Sequence, residues 1–215
     1  MSILMEVWGD YASFNRPEFS VERVSYDVPT PSAARGMIES IYWHQGLKWI
    51  IDRIYVLNPI QHTNLRRNEM KSKLSARNAY SAMTGNGKQL YICRDEDIQQ
   101  RAALMLQDVH YVIEAHFEMT SNANAGDNPG KFQDIIKRRL KRGQCFSQPY
   151  LGCRECTANF RLWDGDAIPT ISETRDLGYM LYDMDYSNPN NIIPTFFHAI
   201  MINGVIDLTD CEVLR

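Results

Sequence analysis

The stretch VERVSYDVPTPSAARGMIESIYW, from Val21 to Trp43, contains the best-marked helix of the chain. Thr30 is suited to be the N-cap, and Pro31 suits the first helical position because it has no N–H to leave unsatisfied. An apolar stripe at helical spacing then indicates a helix that lies on a core: Ala34, Met37, Ile38, Ile41 and Tyr42. With Gly46 as its stop signal, the helix is predicted over residues 31–44.

Two residues of this helix are unusual. Gly36 stands in the helix interior, where glycine costs about 1 kcal/mol relative to alanine. It indicates close approach by another backbone or by a ligand. Tyr42 lies on the edge of the apolar stripe in the last turn, where its hydroxyl can reach out of the packed layer. It is a candidate reactive group, although a half-buried core tyrosine with its hydroxyl in water has the same pattern.

The composition is that of an ordinary globular protein, with 215 residues of which 44% are hydrophobic and 23% charged. No apolar run approaches the roughly 20 residues of a membrane span, and the segment MSILMEVWGDY is too short and acidic for a signal peptide. Five cysteines, an odd number, fit reduced thiols and a cytoplasmic location. Only Cys153 and Cys156 have metal-like spacing, and no second pair completes a zinc site, so no metal or other cofactor is expected.

The net charge of −3 conceals a polarised chain. From Tyr150 onward, four Lys or Arg residues stand against ten Asp or Glu residues, a net charge of −6, so the first 149 residues carry +3. This positive charge is clustered, which indicates that one face can bind a polyanion despite the acidic total.

The first 125 residues are predicted to form an α+β domain. The predicted strands are 3–11, 47–57, 60–65, 89–93 and 111–120, and the predicted helices are 31–44 and 95–107. A further extended stretch is predicted over 21–28, and Gly85-Asn86-Gly87 marks a turn. The order strand, helix, strand, strand, helix, strand is that of a ferredoxin-like (RRM-like) βαββαβ domain, whose open sheet face binds RNA in RRM proteins.

A basic helix is predicted over residues 129–142, with Asn128 as its cap and Gly143 as its stop. Its buried stripe is predicted to be Phe132, Ile135, Ile136 and Leu140. Five of its last six residues are basic, more than a helix C-terminus needs to complement its dipole, so we predict that it binds phosphates. It serves as a connecting helix, at 126–148, to a small antiparallel β-rich C-terminal domain at 149–215.

A second basic segment, RRNEMKSKLSAR at 66–77, has no apolar period and is also predicted to contact RNA. The predicted RNA-binding residues are Arg66, Arg67, Lys71, Lys73, Lys137, Arg138, Arg139, Lys141 and Arg142.

His116 differs from the other four histidines in its surroundings. In the alternating segment YVIEAHFEMT it lies on the polar face, two residues from Glu114 and two from Glu118. Carboxylates near a histidine favour its charged form, and a histidine so placed can act as a general acid or base. A solvated histidine on a sheet face has the same spacing, and no P-loop, HExxH or nucleophile-elbow motif accompanies it.

Five segments in chain order resemble one known family: VWGDYASFNRPEFSVERVSYDVPTPSAARGMIESIYW, RRNEMKSK, DVHYVIEAHFEMT, QPYLGCRE and RDLGYMLYDMDY. They are similar to the CRISPR-associated endoribonucleases of type I-C systems (Dvulg subtype), in the RAMP superfamily. The resemblance spans nearly the whole chain, and the combination of SYDVPTPSAARG, EAHFE and LGCRE makes it specific. It implies a ferredoxin-like N-terminal domain and a small β-rich C-terminal domain.

The resemblance also implies a function. Enzymes of this family cut precursor CRISPR RNA at the base of the repeat hairpin without a metal, and stay on the 5′ handle as a subunit of the interference complex. CRISPR repeat RNA and the other subunits of that complex are therefore the expected partners. The family's assigned catalytic residues are a tyrosine at the end of the first helix and a Lys/His pair on the last ferredoxin strand, which match Tyr42 and His116. The lysine position falls on Glu114, and His44 stands where a lysine is common, so His44, Lys48 and Glu114 are candidate accessory residues.

Metal-free RNA cleavage uses the ribose 2′-OH as nucleophile on the adjacent phosphate and leaves a 2′,3′-cyclic phosphate and a 5′-OH. It requires in-line positioning, proton transfer at two oxygens and positive charge near the phosphorane. His116 is the expected base or acid, and Tyr42, with a reference pKa of about 10, is expected to orient the 2′-OH or relay a proton. The alternative is a non-catalytic RNA-binding cap subunit of the same complex, which the departure at Glu114 favours.

Overall fold

The computed structural model describes residues 2–19, 21–85 and 90–215, and within these ranges the chain forms a mixed α/β fold. The elements in chain order are β1 (Ser2–Ala12), β2 (Arg23–Val24), α1 (Pro31–Ile41), β3 (Leu47–Val56), β4 (Gln61–Met70), α2 (Ala76–Met83), α3 (Arg94–Asp97), β5 (Ile98–Met119), α4 (Pro129–Arg142), β6 (Asn159–Leu162), β7 (Arg175–Asp185), β8 (Ile193–Ile202) and β9 (Val205–Asp207).

The strands form one antiparallel sheet in the order β6-β1-β5-β3-β9-β8-β7, and β2 and β4 also pair with β5. The 22-residue strand β5 lies between β1 and β3. Ile113 of β5 is in register with Met5 of β1 and with Ile54 of β3, and all three side chains are buried. The core therefore forms where these three strands meet.

The chain divides into two compact units. One comprises Met1–Thr63 and Leu104–Arg215, and the other comprises Asn64–Ala103. The domain boundaries predicted after residues 125 and 148 stay predictions. Across the described ranges, no helix is both long enough and apolar enough to cross a bilayer.

Helix α1 begins as predicted but ends earlier. Thr30 Oγ1 accepts a hydrogen bond from the Ala33 N–H (3.2 Å), and Pro31 occupies the first turn. The predicted end at residue 44 is wrong, because Tyr42 is already extended, with φ −148° and ψ 111°. The Tyr42 ring packs on Phe132 of α4, with 6.1 Å between ring centroids. The helix therefore ends before its predicted glycine stop, at a residue that makes a tertiary contact.

The helix predicted over 95–107 is also wrong. Only α3 is helical there, and the following residues belong to β5, where Leu106 pairs with Ala12 of β1. The Leu104 carbonyl also accepts the Ser25 N–H (2.9 Å). Alanine, leucine and glutamine favour helices in isolation, but here they pair with neighbouring strands, and tertiary context overrides propensity.

The predictions around the neighbouring turn have mixed outcomes. A turn is predicted at 85–87 and a strand at 89–93, but residues 86–89 lie outside the described residues. The described part of that strand, Leu90–Cys93, is not in a strand. Strand β4 runs on to Met70, five residues beyond the predicted end, so Arg66 and Arg67 lie within it.

Helix α4 is confirmed with the predicted bounds. Asn128 Oδ1 accepts the Lys131 N–H (2.9 Å), and Gly143 ends the helix with φ 62°. Three of the four predicted stripe residues are buried, whereas Ile135 is half-buried and Gln133 is buried instead. The predicted C-terminal strands are confirmed as β6 to β9, with Asn203 and Gly204 both at positive φ in the turn between β8 and β9.

Candidate active site

The two faces of the sheet carry different chemistry. Phe117 of β5 packs on Phe132 of α4 (6.1 Å) and on Trp49 of β3 (5.3 Å), so these side chains share the face that α1 and α4 cover. We call it the helix face. Consecutive side chains of a strand point to opposite faces, so His116, next to Phe117, lies on the other, which we call the strand face.

Tyr42 lies on the helix face and is 7% exposed. Its ring packs on Phe132, its carbonyl accepts the Trp49 indole N–H (3.0 Å), and its N–H donates to the Ile38 carbonyl (2.9 Å). Burial raises the pKa of the Tyr42 hydroxyl, and the positive charges of Lys131 and Arg139 oppose that rise. The phenol is therefore protonated at neutral pH and can donate or orient, but it is a poor base.

Helix α4 brings two cations to this tyrosine. The Arg139 guanidinium lies over the Tyr42 ring, 5.1 Å from its centroid, and donates to the Ile41 carbonyl at the end of α1. Lys131, one turn into α4, is close enough to act on the Tyr42 pKa and is half-exposed to solvent. Helix α4 therefore places two positive charges at the point where the Tyr42 hydroxyl lies.

Asp127 holds Lys131 in place. Its side chain is only 2% exposed, and it accepts from the Lys131 ammonium (2.8 Å) and from the Asn124 N–H (2.9 Å). These two contacts lower the pKa of Asp127, and the same ion pair raises the pKa of Lys131. The lysine is therefore a fixed positive charge at neutral pH and not a proton acceptor.

His44 completes the cluster on the helix face. Its ring lies 5.0 Å from Phe132, and its Nδ1 accepts the Gly46 N–H (3.0 Å). Because Nδ1 is an acceptor, the neutral ring carries its proton on Nε2, which lies 3.7 Å from Asp127 Oδ2, beyond hydrogen-bond distance. Gly46 is required here, since a Cβ would lie 2.9 Å from Ala123 Cα. His44 is thus arranged as a hydrogen-bond donor through its Nε2–H.

His116 forms a different arrangement on the strand face. Its Nδ1 lies 2.8 and 2.9 Å from the two carboxylate oxygens of Asp52, at the irregularity in β3 between Ile51 and Arg53. A carboxylate at Nδ1 fixes the tautomer that leaves Nε2 as an acceptor, the arrangement of a general base. The partner carboxylate is Asp52, and not Glu114 or Glu118 as the sequence pattern predicts.

Glu114 and Lys48 are also on the strand face. Glu114 accepts from Tyr55 (2.7 Å) and from Arg53 (3.3 Å), and burial together with Glu114 raises the pKa of Tyr55 to about 12. Lys48 is exposed and in register with Glu118. Neither residue lies on the face that carries Tyr42, so the cation there comes from α4.

The structure therefore does not bring the two predicted catalytic residues together. Tyr42 lies with His44 on the helix face, and His116 lies on the strand face. Sequence reasoning missed Lys131 and Asp127 because, at i and i+4, they have the pattern of an ordinary surface ion pair. It also missed the partner of His116, although a carboxylate that interrupts the apolar strand β3 was a usable signal.

The predicted RNA-binding residues of α4 do not all share one environment. Lys137, Arg138, Lys141 and Arg142 are exposed, whereas Arg139 packs on Tyr42. In the unit Asn64–Ala103, Arg66 is exposed and its strand neighbour Arg67 is half-buried, so the two side chains point to opposite faces of β4. Lys71 and Lys73 follow β4 and are exposed. Among the described residues, no group of three or more His, Cys, Asp or Glu is placed to hold a metal ion.

Comparison with known proteins identifies the family. A profile described as "CRISPR-associated protein (Cas_Cas5)", that of Cas5d, matches residues 2–209. The chain belongs to the Cas5d family. A protein of Mannheimia succiniciproducens named CRISPR pre-crRNA endoribonuclease Cas5d is 49% identical over 213 residues, which cover 96% of this chain and 94% of the relative. A protein of Thermus thermophilus with the same name is 37% identical over 221 residues, covering 95% and 90%. The family predicted from the sequence motifs is thus confirmed.

Solved structures share the fold. A crystal structure described as that of a CRISPR-associated protein has a TM-score of 0.70 at 22% identity, covering 100% of this chain and 97% of the other. The functionally uncharacterized protein SMU1763c from Streptococcus mutans has a TM-score of 0.69 at 24% identity, with the same coverage. At these identities the likeness concerns the fold alone.

Proposed function

We propose that this chain is a metal-independent endoribonuclease that cuts precursor CRISPR RNA within its repeat, with the reacting phosphate at the Tyr42 cluster, defined as Tyr42, His44, Lys131 and Arg139. Two relatives that cover nearly the whole chain are named for this activity. The observation that carries the proposal is the meeting of an orienting hydroxyl, a hydrogen-bond-donating imidazole and two cations at the junction of α1 and α4.

The RNA and water supply every atom that the reaction needs. The 2′-oxygen attacks the neighbouring phosphorus while the bond from phosphorus to the 5′-oxygen breaks. The 2′-hydroxyl proton passes to water, and the departing 5′-oxygen takes up a proton. The products are a 2′,3′-cyclic phosphate and a 5′-OH.

Each member of the Tyr42 cluster has a role that its contacts allow. His44, with its proton on Nε2, donates a hydrogen bond to the departing 5′-oxygen, which takes its proton from water. Tyr42, protonated at neutral pH, orients the 2′-hydroxyl. Lys131 and Arg139 stabilise the negative charge that develops on the phosphorane. Asp127 acts through Lys131, whose ammonium group it positions.

His116 is a second candidate for the reacting site. The specific observation in its favour is the Asp52 carboxylate at Nδ1, which orients Nε2 as an acceptor. Beside His116 the Arg53 guanidinium is bound to Asp207 (2.8 Å) and Glu114 (3.3 Å), whereas the Tyr42 cluster brings two cations and a hydroxyl to one point. For this reason the proposal assigns the reaction to the Tyr42 cluster.

The core is proposed to be ferredoxin-like, but built from other elements than those predicted. Strands β1, β3, β5 and β6 with helices α1 and α4 have the chain order βαββαβ, with β4, α2 and α3 as an insertion between the second and third strands. Their neighbour order, β6-β1-β5-β3, and antiparallel pairing are those of a ferredoxin-like sheet. After cleavage the chain is proposed to stay on the 5′ handle as a subunit of a type I-C interference complex in the cytoplasm.

The alternative function is a non-catalytic cap subunit that binds the 5′ handle. It is favoured by Glu114, which places a carboxylate where the family resemblance implies a lysine. One experiment separates the two functions: incubation of the purified chain with its cognate repeat RNA in excess EDTA. We expect a single cut, with a 2′,3′-cyclic phosphate on one product and a 5′-OH on the other. Binding without a cut supports the cap subunit, and a cut that returns only with Mg²⁺ or Mn²⁺ contradicts the metal-independent mechanism.

The exposed basic residues of α4 are proposed to hold the RNA backbone. If Lys137 and Lys141 contact phosphates, their double replacement by glutamine weakens repeat-RNA binding and flattens the slope of log K against log[salt] by roughly one to two units, about 0.7–0.9 per contact. Thermal stability should hold or rise slightly, because the two like charges are four residues apart on one helix. Arg154→Gln, at an exposed arginine outside α4, is the control. An unchanged salt slope removes this helix from the RNA site.

A further inference from the structure

Four exposed aromatic side chains lie along α1 and the segments that pack on it. They are Trp43, Phe146, Tyr150 and Tyr186, with exposed fractions from 42% at Tyr150 to 85% at Phe146. Aromatic side chains of this size are normally buried or paired, and several exposed ones beside a single helix point to a binding surface. The Tyr42 cluster uses none of them.

Backbone contacts hold these side chains beside the helix. The Ser40 carbonyl of α1 accepts the N–H groups of Phe146 and Ser147, both at 3.0 Å, so Phe146 lies next to the last turn of α1. Trp43 directly follows Tyr42. At the other end, Tyr150 and Tyr186 line a cavity of about 330 Å³ whose floor is α1.

Gly36 keeps this cavity open. It is exposed, it lines the cavity, and a Cβ built on it would meet no atom within 4 Å. The backbone approach that a glycine in a helix interior indicates is therefore not present, although glycine is unfavourable at such a position. What remains is the other explanation, that a ligand approaches the helix backbone here.

We propose that this surface, the α1 track, binds single-stranded RNA next to the cleavage site, with bases stacked on its aromatic side chains. The inference rests on the proposed function, and it names the part of the substrate that the Tyr42 cluster does not hold. Stacking on successive aromatic side chains is how proteins bind single strands, because every base has a π-face.

Charge favours RNA over a protein partner as the occupant. The basic residues Lys141 and Arg142 precede Phe146 in the chain, and Tyr42 precedes Trp43, so this end of the track adjoins both the phosphate-binding helix and the reacting groups. Inside the cavity, Arg35 is already paired with Asp183 and Glu39. The cavity therefore suits a neutral base, with its phosphate directed to the basic end.

The first test combines protein variants with modified RNA. We expect Trp43→Ala combined with Phe146→Ala to weaken binding of repeat RNA by about 5- to 150-fold, the range for a lost base-stacking contact. Repeat RNA with abasic nucleotides in its single-stranded flank should bind the wild-type chain with a similar loss, and the double variant should no longer distinguish the two RNAs. Tyr179→Ala, an exposed aromatic on β7, is the matched control and should bind normally.

The second test fills the cavity without removing a contact. Gly36→Ala should raise Tm by about 2–4 °C, since the added methyl group meets nothing and favours the helix. Gly36→Leu should keep that stability but weaken binding of the repeat RNA, because its side chain occupies the cavity. A fall in Tm for both variants would instead make Gly36 a structural glycine and overturn this part of the inference.

The outcomes separate this inference from the proposed function. Normal binding of both RNAs by the Trp43/Phe146 double variant overturns the track, as does loss of a protein partner with RNA binding intact. A wild-type chain that binds repeat RNA without cutting it contradicts the proposed function. In that case the ratio of variant to wild-type RNA affinity still tests whether the α1 track binds RNA.

Discussion

Replacing Tyr42 with phenylalanine should slow single-turnover cleavage of repeat RNA by about 10²-fold or more, with little change in RNA affinity. The substitution removes only the hydroxyl and leaves the ring packed on Phe132 and beneath the Arg139 guanidinium. In the proposed mechanism this hydroxyl orients the attacking 2′-oxygen, and its raised pKa keeps it protonated for that task. The loss should therefore appear in the cleavage step.

The matched control is Tyr55→Phe. Tyr55 also carries a hydroxyl with a raised pKa, but it donates to Glu114 on the strand face. We expect this variant to cleave at a rate close to that of the wild type. If Tyr42→Phe cuts at the wild-type rate, then Tyr42 is a core tyrosine that has no part in the reaction.

Replacing Lys131 with methionine should have an effect of similar size, about 10²- to 10³-fold on the cleavage rate, the scale for a lost electrostatic contact to a transition state. Methionine keeps the apolar length of the side chain and removes its charge. Lys131→Arg should retain part of the activity, because it restores a cation beside Tyr42. Lys137→Met, on the exposed face of the same helix, is the control and should alter binding more than cleavage.

Slow cleavage by Lys131→Met could result from a destabilised fold or from a lost contact to the phosphate, and stability measurements separate the two. Asp127 loses its ammonium partner in Lys131→Met and keeps only the Asn124 N–H, and a nearly buried carboxylate that loses a charged partner destabilises the fold. A lowered Tm with an unchanged cleavage rate at a temperature where the chain is folded would make Lys131 a structural residue. Unchanged stability with slow cleavage supports its role at the phosphate.

Local sequence signals predicted several elements well, because the energies that decide them are local. Helix α4 has its asparagine cap, its glycine stop and its apolar stripe within sixteen residues, and it forms with those bounds. Strand β3 is a run rich in β-branched and aromatic residues, which strongly favour a β-strand. The start of α1 is likewise decided by Thr30 and Pro31.

The wrong predictions involve contacts between distant parts of the chain. The first half of β5 has helix-favouring residues, and it is a strand because β5 pairs with β2 and β4 and, from Leu106 onward, with β1 from almost a hundred residues away. The end of α1 falls at Tyr42, whose ring packs on Phe132 of the distant helix α4. The candidate site could not be predicted fully for the same reason. Alternation within β5 puts His116 on the polar face, but it cannot reveal that Tyr42, from another part of the chain, lies on the opposite face of the sheet.

The most direct test of the central claim compares the cleavage rates of Lys131→Met and His116→Ala at saturating repeat RNA under single-turnover conditions. The two residues lie on opposite faces of the sheet, so only one of the two losses can report on the reacting phosphate. Our account predicts that Lys131→Met cleaves at least about 10²-fold more slowly than wild type and that His116→Ala stays within a few-fold of it. A slow His116→Ala variant beside a normal Lys131→Met variant would contradict the account and move the reaction to the strand face.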